Sequence, residues 1–327
     1  MSEPRRRLAV LTSGSDSPGQ NAVVRAVVRM ALALGWAPYG IERGFAGLLQ
    51  GIGEPLNSRS VSNIIGRGGT ILGSSRSDLL RSAQGVRKAL RNLNEAGIEG
   101  LVVIGGDGSM RGAHALSEAG FPTVGVPATI ENDVYGTDRA IGVDTALNTA
   151  LDAIDRIKDT ASSHEQAFLI EVAGKRSGYL ALMAGIAGGA EMVCIPEVPY
   201  TLEQVVDEIA AAYVRGKKHC IVMVAEGAEP HAAEMASAMG KRRAETGFEV
   251  HLSLLGHIQR GGSPTAYDRF WATRLGAEAV RQLHQGGSGV MVGVLEGRLA
   301  VTPLAEVVAH TRGIDAHDYE MAKVLAK

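Results

Sequence analysis

Two acidic turns, each placed directly after a run of apolar residues, carry the side chains best suited to chemistry. The segment Pro127–Asp133 sets the carboxylates of Glu131 and Asp133 beside the hydroxyl of Thr129. The segment Gly105–Ser109 reads Gly-Gly-Asp-Gly-Ser. Acids at strand ends next to glycines favour metal-assisted phosphoryl chemistry, because Mg²⁺ takes oxygen ligands and glycines admit phosphate to the backbone. For either turn alone a purely structural role is the alternative, since the same residue types cap helices and form turns.

A third candidate is the turn Thr12–Asn21, which lies between a predicted strand and a predicted helix. Gly14 and Gly19 have the outer spacing of a P-loop, but Gln20 and Asn21 stand where that motif needs Lys and Ser or Thr. The dinucleotide pattern G-x-G-x-x-G is also missing. Backbone N–H groups at a helix start can still cradle a phosphate. The alternative is a glycine turn that only joins a strand to a helix.

Basic residues recur near these turns. Arg25 and Arg29 are four residues apart on a predicted helix and therefore share one face. The segment Val172–Gly178 offers two cations beside glycine, and Leu255–Pro264 combines a His and an Arg with a glycine pair. Each of these patterns suits an anion site. Solvated arginines and a structural histidine are the alternatives.

The elements that must position these turns are short apolar runs alternating with helical patterns. This alternation predicts an α/β fold with doubly wound, mostly parallel, Rossmann-like sheets and helices on both faces. In such sheets ligands bind beyond the carboxyl ends of strands, where Gly14, Asp107 and Glu131 would all fall. A length of 327 residues predicts two lobes rather than one core, although no clean linker separates them.

Composition excludes several classes of protein. Hydrophobic residues make up 45% and charged residues 21%, as in ordinary globular proteins, and the net charge of −2 gives no reason to expect a nucleic-acid or membrane partner. Cys194 and Cys220 lie in apolar runs, which predicts buried thiols rather than a disulfide. The basic residues 5–7 precede too short an apolar run for a signal peptide. We therefore expect a cytoplasmic protein.

Taken together and in this order, the turns resemble those of the bacterial ATP-dependent 6-phosphofructokinases of the A family. The similarity runs from about Leu8 to about Val294. It is carried by Thr12–Asn21, Arg67–Thr70, Gly105–Ser109, Thr129–Asp133 and His257–Pro264. The resemblance implies a homotetramer of two-lobed subunits. Residues 1–142 plus 259–309 would form the nucleotide-binding lobe, and residues 143–258 plus 310–327 the sugar-phosphate-binding lobe.

For the nucleotide site, the resemblance implies ATP as the phosphoryl donor and Mg²⁺ as its metal, with Asp107 as the metal ligand. Gly108 and Ala128 favour ATP, because relatives that use pyrophosphate usually carry Asp and Lys at these two positions. The residues assigned to ATP are Gly14, Arg76, Ser77, Gly106, Asp107, Gly108 and Ser109.

For the sugar site, the resemblance places Thr129, Glu131 and Asp133 at the 1-hydroxyl, with Glu131 as the general base. Lys175 falls where the family has an arginine on the transferring phosphoryl group. The other substrate residues implied are Gln166, Ala173, Gly174, Glu226, His251, His257 and Arg260. An effector site for a nucleoside diphosphate or phosphoenolpyruvate is implied between subunits, at Arg25, Arg29, Arg59, Lys158, Glu191 and Lys217.

Several positions depart from the family pattern, among them Ser15 and Ser77 on the nucleotide side and Asn63 at the effector site, but the departures cluster at the sugar site. Glu131 replaces the usual Asp and is one methylene longer, and Lys175 keeps a charge but loses the guanidinium fork. Gln166 and His251 replace two arginines that, in the family, reach the sugar phosphate of the neighbouring subunit. Charge-assisted hydrogen bonds to phosphate contribute about 1.5–3 kcal/mol each, so the sequence predicts weakened binding of fructose 6-phosphate.

Arginines elsewhere in the chain could restore the lost charge, and Arg176 and Arg242 are the candidates. Three hypotheses for function follow. The first is phosphorylation of fructose 6-phosphate at its 1-hydroxyl by ATP and Mg²⁺, a step of glycolysis. The second is a kinase for a different sugar or sugar phosphate. The third is a catalytically impaired, nucleotide-binding regulatory paralogue that pairs with an active subunit.

Overall fold

The structure is a computed structural model that describes residues 6–75, 80 and 82–326. Its chain forms two compact units. Unit 1 comprises Met1–Ile130, Val134–Thr145 and Arg260–Arg312. Unit 2 comprises Glu131–Asp133, Ala146–Gln259 and Gly313–Lys327. No helix in the described part of the chain is long and apolar enough to cross a membrane.

Over the described residues, unit 1 is built on a seven-stranded sheet. Its central strands are parallel, and the two edge strands run antiparallel to their neighbours. The mostly parallel α/β sheet predicted from the sequence is therefore confirmed. In spatial order the strands are β11 (Arg298–Pro303), β10 (Val290–Leu295), β5 (Thr123–Pro127), β4 (Ile98–Gly105), β1 (Arg7–Ser13), β2 (Ala37–Ile41) and β3 (Gly53–Pro55).

Helices cover both faces of this sheet, and β1 shows why. Its side chains alternate between the faces, so Leu8 and Val10 enter one hydrophobic core while Ala9 and Leu11 enter the other. The first core is completed by α1 (Gln20–Ala33) and α10 (Ala266–His284). The second is completed by α2 (Gly44–Gln50), α3 (Ala83–Glu95), α4 (Asp107–Glu118) and α11 (Leu304–Ala309).

The start of α1 is fixed by a glycine. Gly19 precedes the helix with a φ of 98°, in the left-handed region that favours glycine. A Cβ at this position would lie 2.7 Å from the Cγ2 atom of Ile141. Both the backbone conformation and the packing therefore require glycine, and they hold the turn after β1 against the segment that follows β5.

Unit 2 contains a four-stranded parallel sheet within the described residues. Cys194 and Cys220 are free and buried, as predicted, and burial raises the pKa of the Cys194 thiol to about 12. In spatial order the strands are β7 (Met192–Cys194), β8 (Cys220–Ala225), β6 (Gln166–Val172) and β9 (Glu249–Leu254). The helices are α5 (Val143–His164), whose first three residues belong to unit 1, α6 (Tyr179–Gly188), α7 (Leu202–Val214), α8 (Ala232–Met239), α9 (Arg243–Thr246), α12 (Ala316–Leu325) and a short 3-10 helix (Gly256–Gln259).

Candidate active site

In unit 1, the turns that follow β1 and β4 are joined by hydrogen bonds. Ser109 Oγ donates to the carbonyl of Ser13 at 3.0 Å, and Ser74 Oγ donates to the carbonyl of Gly14 at 2.8 Å. A Cβ on Gly105 would lie 2.3 Å from Ser109 Oγ, so only glycine allows this approach. A Cβ on Gly14 would lie 3.4 Å from Ser109 Oγ, so the structure brings these two residues together, and their binding of ATP stays a prediction. Arg76 and Ser77, also predicted to bind ATP, lie outside the described residues.

The N-terminus of α4 forms the centre of this glycine-rich cluster. Gly106 is the residue before the helix, and Asp107, Gly108 and Ser109 make its first turn. The first N–H groups of a helix have no partner within the helix and, with the helix dipole, attract anions. Gly108 is exposed, and a Cβ on it would meet no atom of the described residues within 4 Å. The N–H of Ser109 donates to the carbonyl of Gly106 at 2.9 Å, so the N–H groups of Asp107 and Gly108 are the ones suited to a phosphate.

Asp107 is the predicted magnesium ligand, and its carboxylate is held by a neighbour. Arg111, one helical turn later, donates from Nε to Asp107 Oδ2 at 3.1 Å and from Nη2 to Oδ1 at 3.2 Å. Among the described residues no group of three or more His, Cys, Asp or Glu side chains could hold a metal ion. Mg²⁺ commonly binds through one or two carboxylates together with phosphates and water. Asp107 therefore fits a magnesium ion that arrives with a nucleotide, and does not form a metal cage.

Asn21, which breaks the P-loop pattern, has a structural role that the sequence did not reveal. Its Nδ2 donates to the carbonyls of Arg67 and Gly68, each at 3.1 Å, and its Oδ1 accepts from the N–H of Ile71 at 2.8 Å. One side chain thereby holds the segment Arg67–Thr70, one of the signature motifs, against the start of α1. Its only signal in the sequence was an amide at a helix start.

The first part of the acidic loop after β5 is anchored in unit 1. The N–H of Ala128 donates to the carbonyl of Gly105 at 2.9 Å, and the N–H of Thr129 donates to the carbonyl of Ile141 at 3.0 Å. A Cβ on Gly106 would lie 3.4 Å from Thr129 Cβ. Thr129 thus lies beside the start of α4. The structure brings together two motifs that are well separated in the sequence.

The second part of this loop, Glu131–Asp133, belongs to unit 2. Glu131 is half-buried, and Asn132 is buried with a φ of 52°, an uncommon conformation that asparagine tolerates better than most residues. Asp133 is buried, and its Oδ2 lies 3.6 Å from Nη2 of Arg176. Arg176 is thus placed at the acidic loop, whereas Arg242 pairs with Glu203 and Glu245 away from it.

The loops that follow β6 and β8 form the other half of the predicted sugar site. The N–H of Gly227 donates to the carbonyl of Gly174 at 2.9 Å. The Nζ of Lys175 lies 3.3 Å from Oε1 of Glu226, and the N–H of Ala173 donates to Gln259 Oε1 at 3.4 Å. Ala173, Gly174, Lys175 and Glu226 are therefore neighbours, as the prediction requires.

Glu171 is an acid of this cluster that sequence reasoning missed. It is half-buried on β6, and its pKa is raised, mainly by burial and further by the nearby carboxylate of Glu226, while His231 lowers it. A perturbed carboxyl group next to a candidate site is a frequent sign of function. The available signal was an acid inside the otherwise apolar run Phe168–Val172.

Gln166 and His251 lie on neighbouring strands at the edge of the unit 2 sheet. Gln166 pairs in register with Glu249, and Phe168 pairs with His251. The His251 ring stacks on Phe168 with 5.2 Å between the ring centroids. Its Nε2 lies 3.5 Å from Glu249 Oε1, too far for a good hydrogen bond. This edge therefore presents an amide, a carboxylate and an imidazole instead of two guanidinium groups.

The two remaining substrate residues lie close together in the chain. His257 is exposed on the short 3-10 helix of unit 2. Arg260 is half-buried and belongs to unit 1. Their predicted contact with a sugar phosphate stays a prediction.

The predicted effector residues form two groups. In unit 2, Lys217 Nζ lies 3.0 Å from Glu191 Oε1 and donates to the carbonyl of Ala326 at 2.9 Å, and Lys158 Nζ donates to the carbonyl of Gly188 at 2.8 Å. In unit 1, Arg25 and Arg29 lie one turn apart on α1, and Arg59 is exposed.

His219 joins the unit 2 group and was not predicted. Its Nδ1 lies 2.8 Å from Ser162 Oγ. Its pKa is lowered, mainly by burial and further by Lys158 and Lys217, while Glu191 raises it. Since it precedes an apolar strand without any motif, the sequence held no signal for it.

The fold and these clusters define a two-unit α/β protein whose strand ends and helix start are suited to binding phosphate. The sequence profile of the family described as Phosphofructokinase matches residues 7–283. The chain is 53% identical over 322 residues to ATP-dependent 6-phosphofructokinase 1 of Thermus thermophilus, covering 98% of this chain and 99% of that one. It is 49% identical over 322 residues to ATP-dependent 6-phosphofructokinase of Bacillus subtilis, with the same coverage. The chain belongs to the phosphofructokinase family.

Solved structures agree with this assignment. Pichia pastoris phosphofructokinase in the T-state matches with a TM-score of 0.88 and 34% identity, over 94% of this chain. This chain spans only 36% of the length of that yeast chain. A pyrophosphate-dependent phosphofructokinase from Marinobacter aquaeolei matches with a TM-score of 0.85 at 20% identity, which supports the fold alone.

Proposed function

We propose that this protein is an ATP-dependent 6-phosphofructokinase, which transfers the γ-phosphoryl group of ATP to the 1-hydroxyl of fructose 6-phosphate. The observation that carries the proposal is the glycine-lined start of α4, where Gly106 lies next to Thr129 and Gly108 is exposed. The relatives bearing this name align with nearly the whole chain. The activity would make the chain a phosphotransferase of glycolysis.

In this proposal, unit 1 binds the nucleotide. The N–H groups at the start of α4 and the turn around Gly14 would hold the phosphates, since both are backbone sites that admit an anion. Asp107 would hold Mg²⁺, which offsets negative charge on phosphate oxygens when it is bound. Arg111 would keep the Asp107 carboxylate oriented, because it already contacts both carboxylate oxygens.

Unit 2 would supply the acceptor side of the reaction. The Glu131 carboxylate would take the proton of the sugar 1-hydroxyl, whose oxygen then bonds to the γ-phosphorus. The bond from the γ-phosphorus to its bridging oxygen breaks, and ADP leaves with that electron pair. Positive groups near the transferring phosphoryl group offset the charge on its equatorial oxygens.

Recognition of the sugar phosphate would involve Glu226, His257 and Arg260, and Gln166 and His251 would face the sugar phosphate of a neighbouring subunit. Because an amide and an imidazole replace two permanent cations, we expect a higher KM for fructose 6-phosphate than a site with two more arginines would give. The alternatives of another acceptor sugar or a regulatory role have no contact of their own in the described residues that favours them.

We also propose a homotetramer with an effector site. The gathering of Lys158, Glu191 and Lys217 around His219 supports an anion site in unit 2, because both ammonium groups act on that imidazole while Glu191 pairs with Lys217. Arg25, Arg29 and Arg59 would serve the same effector from another subunit. A nucleoside diphosphate or phosphoenolpyruvate is the expected ligand.

A steady-state assay tests the proposed function. Fructose 6-phosphate and ATP are supplied with Mg²⁺, and formation of fructose 1,6-bisphosphate is measured for the wild type and for Glu131→Gln. Loss of the general base should lower kcat about 10²–10⁴-fold. Glu118→Gln, at the exposed end of α4, is the matched control and should leave kcat unchanged. Wild-type turnover no higher than that of Glu131→Gln would contradict the proposal, and a panel of other sugar phosphates would reveal a different acceptor.

A further inference from the structure

Two adjacent cations in unit 2 have different partners. Lys175 Nζ lies 3.3 Å from Glu226 Oε1, at the end of β8. Arg176 Nη2 lies 3.6 Å from Asp133 Oδ2, in the acidic loop after β5. The residue aligned with the family's arginine is therefore paired with another acid. The neighbouring residue brings a guanidinium group to the loop that carries Glu131.

The backbone that carries both side chains is held in place. A Cβ on Gly174 would lie 2.3 Å from the carbonyl oxygen of Ser177, and a Cβ on Gly178 would lie 2.3 Å from Ile195 Cγ2. The N–H of Gly178 donates to both carboxylate oxygens of Glu197, at 2.8 and 3.0 Å. These contacts fix the loop, so the different directions of Lys175 and Arg176 follow from its backbone.

The two members of the Arg176–Asp133 pair differ in their exposure to solvent. The Asp133 side chain is 10% exposed and the Arg176 side chain 65% exposed. The carboxylate is therefore fixed in the protein, while the arginine extends into accessible space. At 3.6 Å the contact is electrostatic and longer than a hydrogen bond. A guanidinium group is planar and carries five N–H donors, whose geometry matches two oxygens of a phosphoryl group.

We propose that Arg176 provides the guanidinium that binds the phosphoryl group during its transfer, and that Lys175 instead neutralises and orients Glu226. This inference rests on the proposed function. As the sugar oxygen bonds to phosphorus and the bridging bond to ADP breaks, negative charge remains on the equatorial oxygens. Two N–H groups of Arg176 would bind two of these oxygens, and Asp133 would hold the guanidinium at the loop. The cation that changed at position 175 is thus supplied one residue later.

The test compares Arg176→Ala, Arg176→Lys and Lys175→Ala in the full-length enzyme. For Arg176→Ala we expect kcat to fall about 10²–10³-fold, because one group that stabilises negative charge in the transition state is lost. The KM for fructose 6-phosphate should stay within about threefold of the wild-type value. Arg176→Lys should fall between Arg176→Ala and the wild type. Lys175→Ala should lower kcat less than about tenfold, since its charge acts on Glu226. Arg156→Ala, an exposed arginine paired with Asp152 on α5, is the control.

Chemical rescue separates a catalytic role from a structural one. Millimolar guanidinium should restore part of the kcat of Arg176→Ala, whereas ammonium and sodium at equal ionic strength should not. A kcat of Arg176→Ala within about threefold of wild type, or a larger loss in Lys175→Ala, would overturn the inference. So would a defect of Arg176→Ala that guanidinium does not relieve. Wild-type turnover is measured in the same assay, and its absence would contradict the proposed function itself.

Discussion

The candidate phosphate site of unit 1 consists mainly of backbone groups, whereas the candidate sugar site of unit 2 consists mainly of charged side chains. In unit 1 the start of α4 and the turn after β1 act through backbone groups, and Gly105 allows the close approach of Ser109. In unit 2 the corresponding loops act through charged side chains, as in the pairs of Lys175 with Glu226 and Arg176 with Asp133. A backbone site requires glycine where groups approach closely, as at Gly105, and admits a small uncharged side chain where they do not, as at Gly108. In a site built from side chains, a charge that is lost at one position can be supplied by the neighbouring residue.

The largest effect is expected when a charge is placed in the backbone site of unit 1, which tests whether its N–H groups bind the phosphates. Gly108→Asp fits the open space beside α4, but its carboxylate would repel nucleotide phosphates from the helix N–H groups. We expect kcat/KM for ATP to fall about 100-fold, equivalent to about 2.7 kcal/mol. KM for fructose 6-phosphate should change less than about threefold. Gly108→Ala fills the same space without charge and should behave like the wild type. Equal losses in both variants would show that size, rather than charge, is decisive.

A smaller effect should come from restoring charge to the side-chain site. His251→Arg places a permanent cation on β9, where stacking on Phe168 can also support a guanidinium. We expect KM for fructose 6-phosphate to fall about tenfold, at the lower end of the range for one charge-assisted hydrogen bond. His164→Arg, at the exposed end of α5, controls for the added net charge. An unchanged KM would mean that this edge of the sheet does not meet the sugar phosphate.

The smallest effect concerns the pH dependence of stability in unit 2. Burial lowers the pKa of His219 below its ordinary value of 6.5, so the folded protein binds fewer protons than the unfolded chain as pH falls through that value. The contribution of His219 to stability is therefore present above pH 6.5 and lost as pH falls through the folded pKa. His219→Asn should flatten the decline in the free energy of unfolding between about pH 7.5 and 5.5. Urea titrations measure it, with His164→Asn as the control.

Much of the fold could be predicted because its longer elements repeat at helical or strand spacing. Elements whose bounds depend on contacts with residues distant in the sequence could not be predicted. The predicted helix Thr145–Asp159 is longer in the structure, where α5 begins at Val143, because the buried carboxylate of Asp268 accepts from the N–H groups of Gly142 and Thr145. Strands β3 and β7 have only three residues each, too few to show a period.

The candidate site was predictable at the level of motifs and not at the level of contacts. The signature turns identify which segments come together, since the family repeats them in order. They do not show which of two adjacent cations faces the acidic loop. That choice depends on the loop backbone around Gly174 and on the close approach of Gly227 to Lys175. For the same reason the roles of Asn21 and Glu171 became visible only through their neighbours in space.

The position of β10 beside β5 has a consequence for the order in which the protein is made. Strand β5 ends at Pro127, but its partner Val290–Leu295 follows the whole of Ala146–Gln259 in the chain. At a synthesis rate of about 5–20 residues per second, β5 remains an unpaired sheet edge on the ribosome for on the order of ten seconds. Unit 2 is then already complete except for its C-terminal helix. The unit bearing the backbone phosphate site is thus the last to close its sheet.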